Sequence, residues 1–117
     1  MVNGGIMERK RLMNGVQFGD LLFLDGWCVN NEGMTMEEEI RTCFDQVAAY
    51  LATIGASLKD VLRATVYLRD INDRERFLNV LWKKYFPENP PARTCVEVGL
   101  GKCRIEIDFI VGLSGKT

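Results

Sequence analysis

Hydrophobic and polar positions change their spacing several times along this chain, and each change predicts an element. A weak alternation around Met7–Met13 predicts a first strand, and Leu21–Leu24 predicts a second, with Gly19-Asp20 as the turn and Asp25-Gly26 as its end. A polar loop, Asn30-Asn31-Glu32-Gly33, follows. Thr35-Met36-Glu37-Glu38 then reads as a capping box, because the threonine oxygen and Glu38 can satisfy free amides at a helix start. Ile40, Cys43, Phe44, Val47, Ala48, Leu51 and Ile54 recur at helical spacing, and Gly55 is a natural stop.

The second half repeats the scheme. Leu58–Leu68 contains a strand, with Leu62, Ala64, Val66 and Leu68 expected on one face and Arg63, Thr65 and Tyr67 on the other. A second helix is expected from a cap at Asp70 or Asn72. It carries Phe77, Leu78, Leu81, Trp82, Tyr85 and Phe86 until Pro87 ends it. Spacing of three and four makes these aromatics core rather than a stacking platform for bases. Two further alternating runs, Arg93–Val98 and Arg104–Val111, flank Gly99-Leu100-Gly101-Lys102 and predict a β-hairpin. Arg93, Cys95 and Glu97 fall on one face of the first run. Ile105, Ile107 and Phe109 fall opposite Glu106 and Asp108 in the second. A hairpin burying its aliphatic face would therefore gather Arg93 and a carboxylate on the other.

The expected order is β-β-α-β-α-β-β, an α+β sandwich in which two helices cover one face of a mixed sheet. With 117 residues the chain is expected to form one domain, 1–117. The uncovered sheet face would carry Arg63, Thr65, Tyr67, Arg93, Cys95 and Glu106, either solvated or buried against other subunits.

Composition narrows the chemistry. The net charge is −1 and no long basic run exists, which counts against nucleic acid as a partner. No stretch approaches the roughly 18 apolar residues of a membrane span. The N-terminal Met1–Ile6 lacks a signal-peptide core, so a cytosolic protein is expected. Cys28, Cys43, Cys95 and Cys103 contain no CxxC pair, and reduced thiols without a metal are expected. Histidine is absent, which excludes Ser-His-Asp, Cys-His and histidine-based ribonuclease mechanisms. Any catalysis must use carboxylate, arginine, thiol, backbone amides and water. From spacing alone, Arg93 reads as an ion pair with Glu97, Glu106 or Asp108, and Glu106 as a structural salt bridge. Cys95 reads as packing.

Several segments are similar to one family. They are Phe18–Gly26, Gly55–Val61, Thr65–Asp73, the set Asn79, Trp82, Tyr85 and Phe86, and Pro91–Val98 with Ile105–Asp108. Together they resemble the RidA/YjgF/YER057c/UK114 family of reactive-intermediate deaminases, also labelled endoribonuclease L-PSP or translation inhibitor. The resemblance implies a chorismate-mutase-like fold assembled as a homotrimeric barrel, with a ligand cleft at each subunit interface. It implies that Arg93 grips a substrate carboxylate, that Glu106 lies near the attacking water, and that backbone groups around Cys95 and Gly26 help hold the ligand. The implied reaction hydrolyses a 2-imino acid, formed from its enamine, to a 2-keto acid and ammonia without a cofactor.

The chain departs from the family pattern in three places. Asp25-Gly26-Trp27 stands where family deaminases have Ser-Gly-Gln, which puts Asp25 and Trp27 among the expected substrate contacts. Leu12 lies nearest the place of a substrate-side tyrosine, and the turn before Arg104 is short, with Leu100-Gly101 in place of Leu-Pro. Asp25 would add charge against an anionic substrate, and Trp27 would reshape the pocket. Two other functions compete with deamination. One is a regulatory trimer that binds a small carboxylate without turnover; the other is the RNA cleavage named in the family labels.

Overall fold

The computed structural model describes residues 8–113, so the expectation for Met1–Ile6, and Met7 of the first strand, lie outside the described residues. Six strands form one sheet: β1 (Arg9–Leu12), β2 (Gly15–Phe18), β3 (Leu21–Leu24), β4 (Val61–Leu68), β5 (Ala92–Glu97) and β6 (Ile105–Gly112). Their order is β1-β2-β3-β6-β4-β5. All neighbours are antiparallel except β4 and β5. Helices α1 (Met36–Thr53) and α2 (Asn79–Tyr85) cover one face, and a π-helical turn, Arg74–Leu78, leads into α2.

Helix α1 starts where its cap predicts. The Thr35 hydroxyl accepts from Glu38 N at 3.1 Å, and the Glu38 carboxylate accepts from Thr35 N at 2.8 Å. These bonds hold the Glu38 carboxyl below its ordinary range. Beyond the Ile54 cap the chain turns at Gly55, whose φ of 78° only glycine adopts without strain, so Ala56 N can reach back to Leu51 O at 2.9 Å. Its apolar stripe centres on Phe44, fully enclosed and packed on Tyr85, Trp82, Phe86 and Phe109. The aromatics of α2 are therefore core. Among the described residues no helix is long and apolar enough to cross a membrane.

Three expectations are corrected. The N-terminal region holds three strands rather than two, because Met13-Asn14 turns the chain and Gly15–Phe18 pairs on both sides. Leu62 does not join the buried face. The register steps from Val61 opposite Val111 to Arg63 opposite Ile110, leaving Leu62 as the extra residue of a bulge. Val61 is buried and Leu62 is 53% exposed.

The largest correction concerns the hairpin. β5 and β6 are not neighbours, for β4 lies between them. β4, α2 and β5 form a parallel crossover unit, and β6 then returns antiparallel into the slot between β3 and β4. Burial explains the choice. β6 presents Ile105, Ile107, Phe109 and Val111, all enclosed only at an interior position, whereas β5 carries Arg93 and Glu97 and suits an edge. Arg93 is in register with the buried Ala64, and Glu106 with Tyr67, three residues farther along β4. Three residues along a strand is a change of face. Arg93, Cys95 and Glu97 thus share the helix-covered face, and Glu106 and Asp108 lie on the open one.

Candidate functional site

The open face holds an acidic cluster built around a glycine. After β3 the chain is pinned to β6 by two backbone bonds, Trp27 N to Ile107 O at 2.8 Å and Ile107 N to Trp27 O at 3.0 Å. This bridge seats Gly26 against Glu106. A Cβ at Gly26 would lie 2.3 Å from Glu106 Oε2 and 3.3 Å from Asp108 Oδ1, so the carboxylate occupies the space a side chain would need. Glu106 and Asp108 share a face by period two. On the neighbouring strand Tyr67 donates its hydroxyl to Asp108 Oδ2 at 3.0 Å, and this bond, more than burial, raises the phenol above its usual range. The arrangement can hold a polar ligand or a water between carboxylates. Alternation along β4 places Tyr67 on this face with Glu106 but gives it no role; its bond to Asp108 depends on the register of β4 with β6, which the sequence pattern does not encode.

Asp25 and Trp27 flank Gly26, but both side chains are engaged within the chain. Arg11 on β1 makes a two-pronged contact with the Asp25 carboxylate. The guanidinium's hydrogen bonds hold the Asp25 carboxyl below its ordinary range. The extra negative charge expected at Asp25 is thus countered by a cation from the adjacent hairpin. Trp27 donates its indole N–H to Gln46 Oε1 at 3.0 Å and tilts against Tyr50 with ring centroids 5.9 Å apart. Gln46 and Tyr50 belong to α1, so the indole extends toward the helix.

Arg93 and Cys95 occupy the rim of the covered face. The Arg93 guanidinium lies 5.0 Å from the centroid of the Trp82 ring, a cation–π contact. Among the described residues no carboxylate pairs with Arg93, which corrects the expected ion pair with Glu97, Glu106 or Asp108. Glu97 is used elsewhere and accepts from Ile71 N at 2.9 Å. Cys95 is half-buried. Burial raises its thiol, while the cations Arg93 and Arg74 pull the other way. The structure therefore places Gly26 with Glu106, and Arg93 with Cys95, on opposite faces of one sheet. It does not bring Arg93 to Glu106 within one chain.

Glu39 is the polar residue whose role the sequence hid. The sequence marks it only as one of three consecutive glutamates in the first turn of α1, where the helix dipole favours negative charge. It is fully buried. Its carboxylate accepts from Arg104 N at 2.8 Å, Arg104 Nε at 2.7 Å and Asn31 Nδ2 at 3.0 Å. Arg104 also donates to Met34 O at 2.8 Å. The ion pair anchors the start of β6, two residues before Glu106. No group of three or more Cys, Asp or Glu among the described residues is arranged to hold a metal ion.

Comparison with known proteins places these features in context. The family model described as Endoribonuclease L-PSP matches residues 7–112. A RutC family protein of Saccharolobus solfataricus is 40% identical over 90 residues, covering 72% of this chain and 71% of that protein. The 3-aminoacrylate deaminase RutC of Acinetobacter baylyi is 41% identical over 64 residues, covering 55% of this chain and 50% of that protein. Among solved structures, a member of the YjgF protein family from Neisseria meningitidis superposes with a TM-score of 0.76 at 32% identity, covering 85% of this chain and 84% of that one.

Proposed function

We propose that this chain, which belongs to the endoribonuclease L-PSP (RidA/YjgF/YER057c/UK114) family, hydrolyses reactive 2-imino and enamine acids such as 2-aminoacrylate to 2-keto acids and ammonia. The carrying observation is Arg93: a half-buried guanidinium stacked on Trp82 and paired with no carboxylate among the described residues. Such a group is prepared for a carboxylate it does not yet hold, and its planar fork suits bidentate pairing. The name of the Acinetobacter relative supports an enamine acid as substrate.

Catalysis in this reading takes place between copies. Arg93 and Cys95 of one subunit face Gly26 and Glu106 of the next in a homotrimer, which joins the two half-sites that a single chain keeps apart. Exposed Phe18, Phe23, Leu62 and Val96 favour such association, since apolar side chains gain by leaving water. Arg93 binds the substrate carboxylate and orients the imine. The protonated imine carbon is electrophilic, so Glu106 needs only to orient a water and accept one of its protons. The water oxygen becomes the ketone oxygen and the imine nitrogen leaves as ammonia. A cytoplasmic site of action fits substrates that form inside the cell.

The test is ammonia release from 2-aminoacrylate generated in situ by a dehydratase. The wild-type chain is expected to accelerate it over the spontaneous rate. Arg93→Ala is expected to lose roughly 2–4 kcal/mol of transition-state binding, about 30- to 1000-fold in kcat/KM. Unchanged release by a folded Arg93→Ala chain sinks the assignment.

A further inference from the structure

The rings of helix α2 are core, but one of them also meets a cation. Tyr85 stacks on Phe44 with centroids 4.8 Å apart and donates its hydroxyl to Asp45 Oδ1 at 2.9 Å. Trp82 is braced by Phe44 edge-on at 5.9 Å and by Phe86 at 4.6 Å, and it is only 8% exposed. Arg93 Cζ lies 5.0 Å from the centroid of this braced ring. The core fixes the indole, and the indole meets the guanidinium.

A ring suits Arg93 better than a carboxylate would. An ion pair holds an arginine through its N–H donors, which are then taken. Cation–π attraction acts between the charge and the negative face of the ring, and it leaves all five donors for a ligand. Among the described residues no carboxylate pairs with Arg93. Glu97 shares that face of β5 but accepts from Ile71 N at 2.9 Å. A guanidinium held by a ring has lost rotamer freedom before a ligand arrives, so a ligand that pairs with it loses less on binding.

We propose that Trp82 is the positioning residue of the carboxylate anchor: its ring holds Arg93 ready for a carboxylate without occupying the donors that the carboxylate needs. This role rests on the reading of Arg93 as that anchor and adds what orients it. Trp82 acts through Arg93 and not on the reacting atoms. It strengthens binding of substrate and transition state alike, so its loss raises KM and leaves kcat nearly unchanged. Loss of a group that orients the water would lower kcat instead.

The experiment titrates the full chain with propionate, which carries the carboxylate and no imine, by calorimetry. Trp82→Phe keeps an aromatic face and is expected to bind within about threefold of wild type. Trp82→Leu keeps an apolar side chain without that face and is expected to bind roughly 5- to 30-fold more weakly. The same factor is expected in KM for imine hydrolysis, with kcat within about twofold. Saturating propionate is also expected to shift the wild-type tryptophan emission, because pairing neutralises the cation beside the indole. Trp82→Phe, which retains only Trp27, should show a smaller shift. The emission comparison decides if Trp82→Leu does not fold.

Equal binding by wild type and Trp82→Leu, equal weakening in Trp82→Leu and Trp82→Phe, or equal emission shifts in wild type and Trp82→Phe overturns the proposal. None of these results touches the assignment of Arg93. No binding by the wild type, or binding that survives Arg93→Ala, overturns that assignment and the role of Trp82 together. Binding that weakens in Trp82→Leu and recovers in Trp82→Phe supports the role even in a chain that releases no ammonia.

Discussion

On the helix-covered face Ala64, Val66, Leu68 and Ile107 are fully enclosed, whereas on the open face Phe23 is 42% and Leu62 53% exposed beside Arg63, Asp108 and Glu106. The first face is completed by the chain's own helices. The second combines apolar side chains with carboxylates and has no cover among the described residues. The candidate site is divided between them, with Arg93, the proposed carboxylate anchor, at the rim of the covered face and Glu106, the proposed water-orienting group, on the open one. Chemistry that needs both groups requires a second copy to bring them together.

The sharpest break between the faces is energetic. Phe109→Ala removes an enclosed ring that packs on Phe44, and it is expected to cost about 3–5 kcal/mol in urea unfolding. Phe23→Glu, on the open face, is expected to leave the secondary structure intact and to disperse the proposed homotrimer in light scattering, with the proposed deaminase activity lost alongside. An assembly that withstands Phe23→Glu would mean that the open face is not the joining surface, and the comparison would fail.

A smaller effect separates catalysis from binding. Gly26→Ala places a methyl where Glu106 Oε2 now sits and so displaces that carboxylate. The expected loss is about 100-fold in kcat with KM little changed, because a misplacement of ~1 Å suffices for that factor and Arg93 is untouched. A rise in KM at constant kcat would instead assign Glu106 to substrate binding.

How far the sequence reveals this division depends on whether each signal is local. The capping box at Thr35 and Glu38 and the stripe through Phe44 are short-range patterns, and both are observed. Period two correctly separates Ile105, Ile107 and Phe109 from Glu106 and Asp108, but alternation defines faces and not neighbours. The two final strands therefore read as a hairpin although β4 runs between them. That error put Arg93 on the wrong face relative to Glu106. Gly15–Phe18 is too short to show a period, and the bulge at Leu62 resets the alternation of β4. Glu39 reads as a dipole partner because Arg104, which makes its burial tolerable, is 65 residues away. Short-range chemistry was legible; pairings set by strand order were not.

Two ion pairs carry the same contrast down to the smallest expected effect. Glu39–Arg104 is enclosed on its carboxylate side, while Arg11–Asp25 is exposed at both ends. The Arg11 guanidinium depresses the Asp25 carboxyl, so whatever stability the pair contributes is present above the ordinary carboxylate range. That contribution disappears as pH falls through the lowered folded value, below about pH 4. An exposed pair in a single chain is screened by salt. Asp25→Asn is therefore expected to leave the urea midpoint at pH 7 and physiological salt nearly where it was, with any residual difference vanishing once the Asp25 carboxyl is protonated. The comparison turns on concentration. If copies associate through the open face, the pair beside Gly26 is desolvated in the assembly, and Asp25→Asn should weaken association more than it destabilises the dilute chain. Equal effects at both concentrations would show that the pair stays in water, outside the surface where the copies meet.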